Sequence, residues 1–141
     1  MIKFQSSKLI NQRGMTLIEI LIVLAIIGTL MAVLIPQVTS RLDKSRVGQT
    51  KIAMGQVVNA LNLYYTDCGK FPKSLEGLSK SDADCPNWGP EPYLKKTPKD
   101  AWNRDFAYEI EGNNYLIKSL GSDGREGGDG YGKDITSEDL Q

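Results

Sequence analysis

The stretch Arg13-Gly14-Met15-Thr16-Leu17-Ile18-Glu19, followed by an almost unbroken apolar run to Ile35, constrains this chain more than any other. A short basic leader meets a hydrophobic segment at a glycine, and one carboxylate stands a single helical turn inside that segment. An ordinary secretory signal is cut after its apolar core, at small residues of the Ala-x-Ala kind. Nothing of that kind follows Ile35. The cut that the pattern offers lies before the core, between Gly14 and Met15, so the hydrophobic segment stays with the protein.

As a helix, Met15 to Ile35 would run roughly 31 Å at ~1.5 Å per residue, close to the ~30 Å thickness of a bilayer core. Hydropathy alone makes it a signal anchor in contact with membrane lipid. Glu19 argues for more, because a carboxylate in such a segment costs on the order of 3 kcal/mol on insertion scales and calls for a partner. The amine freed by cutting after Gly14 supplies one, at a helix end whose positive dipole the carboxylate also neutralises. Pairing Glu19 with Met15 of an adjacent subunit would set the axial step of a head-to-tail filament, a contact that propagates rather than closes. The leader carries Lys3, Lys8 and Arg13 and no acid, which keeps it cytoplasmic and sends the C-terminal part across.

The rest of the chain leaves room for one small core. With 17 basic and 17 acidic residues it has no polyanion footprint, so no nucleic-acid partner is expected. It has no histidine, nucleophile elbow or phosphate loop, hence no visible carrier of catalysis. Pro36 removes a helical donor and either ends the membrane helix or bends or melts one long helix locally. Met54, Val57, Val58 and Leu61 recur at helical spacing, with Tyr64 and Tyr65 extending the stripe, so Gln37 to about Thr66 is predicted as an amphipathic helix. Gly69 offers a left-handed cap.

Cys68 and Cys85, the only cysteines, read as a disulfide in an exported domain, worth about 3 kcal/mol in the chain-entropy model, with two buried free thiols as the other reading. Phe106, Tyr108 and Ile110 alternate with Ala107 and Glu109 as a strand; Gly112-Asn113-Asn114 reads as a turn and Tyr115 to Leu120 as its partner. Trp88 and Trp102 read as packing residues rather than a stacking surface.

Ser119 to Ile135 is rich in glycine and carries Asp123, Asp129 and Asp134. Glycines turn the backbone and aim its carbonyls, and aspartates add hard oxygen ligands, a combination that suits calcium with its roughly six to eight oxygens. A flexible solvated tail is the other reading of that composition. An EF-hand counted from Asp123 fails, because Arg125 and Gly127 fall where oxygen ligands belong.

Gly14-Met15-Thr16-Leu17-Ile18-Glu19 resembles the prepilin cleavage motif of type IV pilins and type II secretion pseudopilins, with Met15 where the family usually has Phe. The resemblance implies cleavage after Gly14, methylation of Met15 by a prepilin peptidase/methyltransferase, and a long helix that continues beyond Pro36. Tyr64-x-x-Asp67-x-Gly69-x-Phe71-Pro72, Gly77-Leu78, Tyr93-Leu94 and Pro98-Lys99-Asp100-Ala101-Trp102 resemble the major pseudopilins of type II secretion. Departures are Ala101-Trp102-Asn103 in place of Pro-Trp-Gly, the cysteine pair, and Lys133-Asp134 in place of two adjacent acids. The acidic stretch looks like that family's calcium loop: Asp123 and Asp134 match it best, Leu120 and Ser122 would donate carbonyls, and Asp129 would compensate for the missing acid.

The resemblance thus implies an α+β, type IV pilin-like fold, with a leader 1–14, a transmembrane helix 15–36, a periplasmic helix 37–67 and a globular part 68–141. It implies a non-enzymatic subunit of the bacterial inner membrane, its C-terminal domain periplasmic, forming a homopolymer that helps export folded proteins. Implied partners are minor pseudopilins, the inner-membrane assembly platform with its ATPase and the outer-membrane secretin channel. An adhesive or twitching pilin and a signal-anchored periplasmic binding domain are the alternatives.

Overall fold

The computed structural model describes residues 14–140. Lys3, Lys8 and Arg13, and with them nearly all of the expected leader, lie outside the described residues. One helix, α1, runs from Leu17–Cys68 over 52 residues with Pro36 inside it, so the proline neither ends nor melts the helix. Compact units divide between Val38 and Thr39. The helix from Thr39 onward and the sheet fall in one compact unit.

In the N-terminal unit the apolar side chains are exposed along the whole segment, from Leu17 at 78% to Val23 at 45%. By length and composition this part of α1 qualifies as a candidate membrane span.

In the C-terminal unit α1 turns Thr50, Met54, Val57, Leu61 and Tyr64 inward, each fully buried. The predicted stripe is therefore the core face, with Val58 packed at its margin. Strands β1 (Ala107–Glu111) and β2 (Asn114–Ser119) form the expected antiparallel hairpin, registered Ala107 to Lys118 and Glu111 to Asn114. A short third strand, β3 (Ile135–Thr136), pairs antiparallel with the end of β2. Phe106, Ile117 and Ile135 complete the core against the helix. Phe106 and Leu120, expected inside the hairpin, fall just outside its strands. Trp88 and Trp102 are half-buried against the core, as packing residues should be.

The connection after α1 is braced at several points. Cys68, the last helical residue, is bonded to Cys85. Gly69 takes the left-handed conformation at φ 70°. The Tyr64 hydroxyl donates to Asp82 Oδ2 at 2.6 Å, the Tyr93 hydroxyl to Asp67 Oδ2 at 2.8 Å, and Trp88 Nε1 to the Gly77 carbonyl at 2.8 Å. The Tyr64 hydrogen bond, helped by the Asp84 amide, holds the Asp82 carboxyl below its ordinary value. A carboxyl depressed on folding contributes stability that is complete above its unfolded value near pH ~4 and is lost as pH falls through the lower folded value. Asp82→Asn should therefore cost a constant increment of stability above pH ~5. That gap should close below pH ~4, as denaturant titrations at stepped pH would show.

Candidate functional site

Two regions carry the residues singled out in the sequence. The first is the start of α1. Thr16 and Glu19 form a capping box, in which the Thr16 amide and hydroxyl donate to Glu19 Oε2 at 2.7 and 3.0 Å and the Glu19 amide donates to Thr16 Oγ1 at 3.3 Å. Two of the donors that a helix start leaves unpaired are thereby satisfied. Thr-x-x-Glu before an apolar run is itself a legible signature of such a cap. Gly14 and Met15 precede the helix and are exposed. The structure thus shows Glu19 engaged within its own chain, with both bonds falling on one carboxylate oxygen.

The second region is the acidic glycine-rich loop. It leaves β2 at Leu120, passes through a 3₁₀ turn at Gly130–Gly132 and returns as β3. Its ends are tied by the Ser122 amide donating to the Tyr131 carbonyl at 2.9 Å and the Gly127 amide donating to Asp134 Oδ2 at 3.1 Å. Asp123 Oδ1 accepts from the Arg125 amide at 2.9 Å. Gly128 and Gly132 are closely approached: a Cβ on either would stand 3.0 Å from Asp123 Oδ2, and one on Gly128 2.7 Å from the Gly132 carbonyl oxygen. Asp134 Oδ1 is buried with no hydrogen-bond partner.

The sequence-predicted ligands are only partly brought together. Among the described residues no three His, Cys, Asp or Glu side chains are grouped as a metal site. Asp129 is exposed, and the Leu120 carbonyl accepts from the Gly124 amide at 3.2 Å. What the loop does offer is an orphaned carboxylate oxygen on Asp134, together with Asp123 Oδ2 and the Gly132 carbonyl crowded around glycines. That donor chemistry fits a hard cation.

A buried polar cluster anchors this loop, and sequence reasoning missed it. Asp100 is 5% exposed and accepts from the amides of Arg104 at 2.8 Å and Trp102 at 3.0 Å and from Ser119 Oγ at 2.8 Å. The Arg104 guanidinium lies 3.6 Å from Asp100 Oδ2, over the Trp102 ring, and donates to the Gly121 carbonyl. The next residue, Ala101, donates its amide to Thr50 Oγ1 on α1 at 3.0 Å. The cluster therefore links the helix, the end of β2 and the start of the acidic loop.

The model of the type II secretion system protein G family matches residues 37–138, and that of the prokaryotic N-terminal methylation motif matches residues 9–35. The chain is 38% identical over 133 residues to a type II secretion system core protein G of Pseudomonas aeruginosa, covering 89% of this chain and 94% of that protein. It is 32% identical over 143 residues to the core protein G of Vibrio cholerae, covering 95% and 97%. The fold matches the crystal structure of the major pseudopilin from the type 2 secretion system of enterohaemorrhagic Escherichia coli. The TM-score is 0.59 at 21% identity, over 70% of this chain and 91% of that one. The chain therefore belongs to the type II secretion system protein G family, as a structural subunit rather than an enzyme.

Proposed function

We propose that this chain is the major pseudopilin of a type II secretion system, cut between Gly14 and Met15 and methylated on Met15. It is held in the inner membrane by the apolar start of α1, with its C-terminal domain in the periplasm. Released into a homopolymer, it forms the periplasmic filament that helps export folded proteins. The observation that carries this reading is the unbroken exposure of apolar side chains from Leu17 to Ile35, which demands lipid before assembly and neighbouring helices after it. Prepilin peptidase/methyltransferase, minor pseudopilins, the assembly platform with its ATPase and the secretin are the partners that this role requires. Mass spectrometry of protein taken from membranes should find an N-terminal methylated Met15, and an intact Met1 would reject the reading.

Calcium is proposed as the resident ion of the loop, held by Asp123 and Asp134, with Asp129 and the Leu120 and Ser122 carbonyls as the remaining candidates. The buried, unpartnered Asp134 Oδ1 supports this. Bound there, the ion would fix the loop between β2 and β3 and supply no reaction chemistry. At 100 times its dissociation constant it should add about 2.7 kcal/mol, raising the melting temperature by several degrees. Asp123→Ala should abolish that rise, and an unchanged wild-type melting curve with calcium would reject the site.

A further inference from the structure

The C-terminal unit also carries charged surfaces of opposite sign. The first is a groove of about 620 Å³ lined by Lys73, Lys80, Lys95, Lys96 and Lys99. Glu76 and Asp105 are its acids. Lys73 pairs with Asp84 at 2.6 Å and Lys99 with Asp105 at 3.5 Å. Among the described residues, Lys80, Lys95 and Lys96 have no carboxylate within ion-pair reach. The frame is firm: Phe106 is buried, the Tyr108 hydroxyl donates to the Pro72 carbonyl at 2.9 Å, and the Leu94 amide joins the walls through the Leu78 carbonyl at 3.0 Å. Lysines gathered around a concave surface focus positive potential and favour an anionic occupant.

The second surface is the turn end of the hairpin. Glu109 and Glu111 are exposed there with Gly112, Asn113 and Asn114. Together with Glu138 the two glutamates border a cleft whose lining has no lysine or arginine. Asn113 Nδ2 donates to the Tyr65 hydroxyl at 3.1 Å, which ties the tip to α1. The two surfaces share no lining residue, one lying at the start of β1 and the other at its turn end.

We propose that the lysine groove of one copy receives the acidic hairpin end of a second copy. The contact rests on the filament reading, and it adds a register between globular parts to whatever the apolar helices contribute. Since groove and hairpin are different surfaces, each copy can give and receive at once, so the contact propagates. Exposed charge pairs of this kind set orientation and partner choice more than affinity, and salt screens them.

The test uses the full-length chain in membranes, expressed with its secretion apparatus, carrying Lys96→Cys together with Glu111→Cys. Cys68 and Cys85 are already joined, so the introduced thiols are the reactive ones. Mild oxidation should give a ladder of crosslinked oligomers on a non-reducing gel, and each single-cysteine chain should give none beyond a dimer. Adding Glu109→Lys should weaken the ladder about tenfold, and Lys95→Glu in the same chain should restore it. Melting temperatures equal to that of the parent chain show that the variants are folded. Sheared filaments are pelleted in parallel. A ladder that responds to both charge reversals supports the contact. Pelleted filaments without a ladder overturn the contact and leave the filament reading standing, whereas a ladder without filaments supports the contact and rejects that reading. Absence of both overturns the contact, and so does a ladder indifferent to both reversals.

Discussion

Replacing Asp100 with Ala should lower the unfolding free energy by about 3–5 kcal/mol, the usual cost of breaking a buried charge network from one side. The carboxylate receives two backbone amides and the Ser119 hydroxyl, and it sits against the Arg104 guanidinium. Arg104 Nε is buried without a hydrogen-bond partner, so the nearby Asp100 charge is what compensates it. Truncation strands all of these groups together. Asp100→Asn keeps an acceptor for the amides and loses the charge, so it should cost roughly half as much. Urea unfolding of the two variants separates hydrogen bonding from charge. A loss below ~1 kcal/mol in the Ala variant would show that water takes over the contacts and that the cluster does not hold the loop.

Glu19→Ala should reduce assembled filaments at least about tenfold while leaving membrane insertion and cleavage largely intact, given the expense of an unpaired charge in an apolar setting. The capping box supplies a competing explanation, because losing a cap costs a helix about 1 kcal/mol by itself. Glu19→Gln divides the two roles. Glutamine serves at the same capping-box position and preserves the local hydrogen bonds, but it has no charge to offer the amine of Met15. If pairing with that amine governs assembly, the Gln variant should be as defective as the Ala variant when sheared filaments are quantified. Normal assembly by the Gln variant would assign Glu19 to helix capping instead.

The features that repeat along the chain were the ones legible from it. The stripe from Met54 to Tyr64 emerged as the buried face because period 3.6 forces those positions to one side. The hairpin followed from alternation and a turn, and the cysteine pair from its setting. Thr50 and Ser119 were not legible: a hydroxyl is buried when something distant meets it, here the Ala101 amide and Asp100. Asp100 itself stood out only as part of a family pattern, since nothing local marks a carboxylate that three segments surround. The two residues of β3 are too few for periodicity to register. In the acidic loop the path of the backbone depends on positive φ angles such as that of Gly128, at 85°, which no spacing rule supplies.

The place of the disulfide has a mechanical consequence. Cys68 is the final residue of α1, so a pull or push carried along the helix arrives there before it reaches the chain beyond. The covalent tie to Cys85 shares that load with the segment containing Asp82, itself latched to Tyr64 one turn earlier. Past the last turn of the helix, the connection to the domain is doubled, running both through the chain at Gly69 and through the Cys68–Cys85 bond.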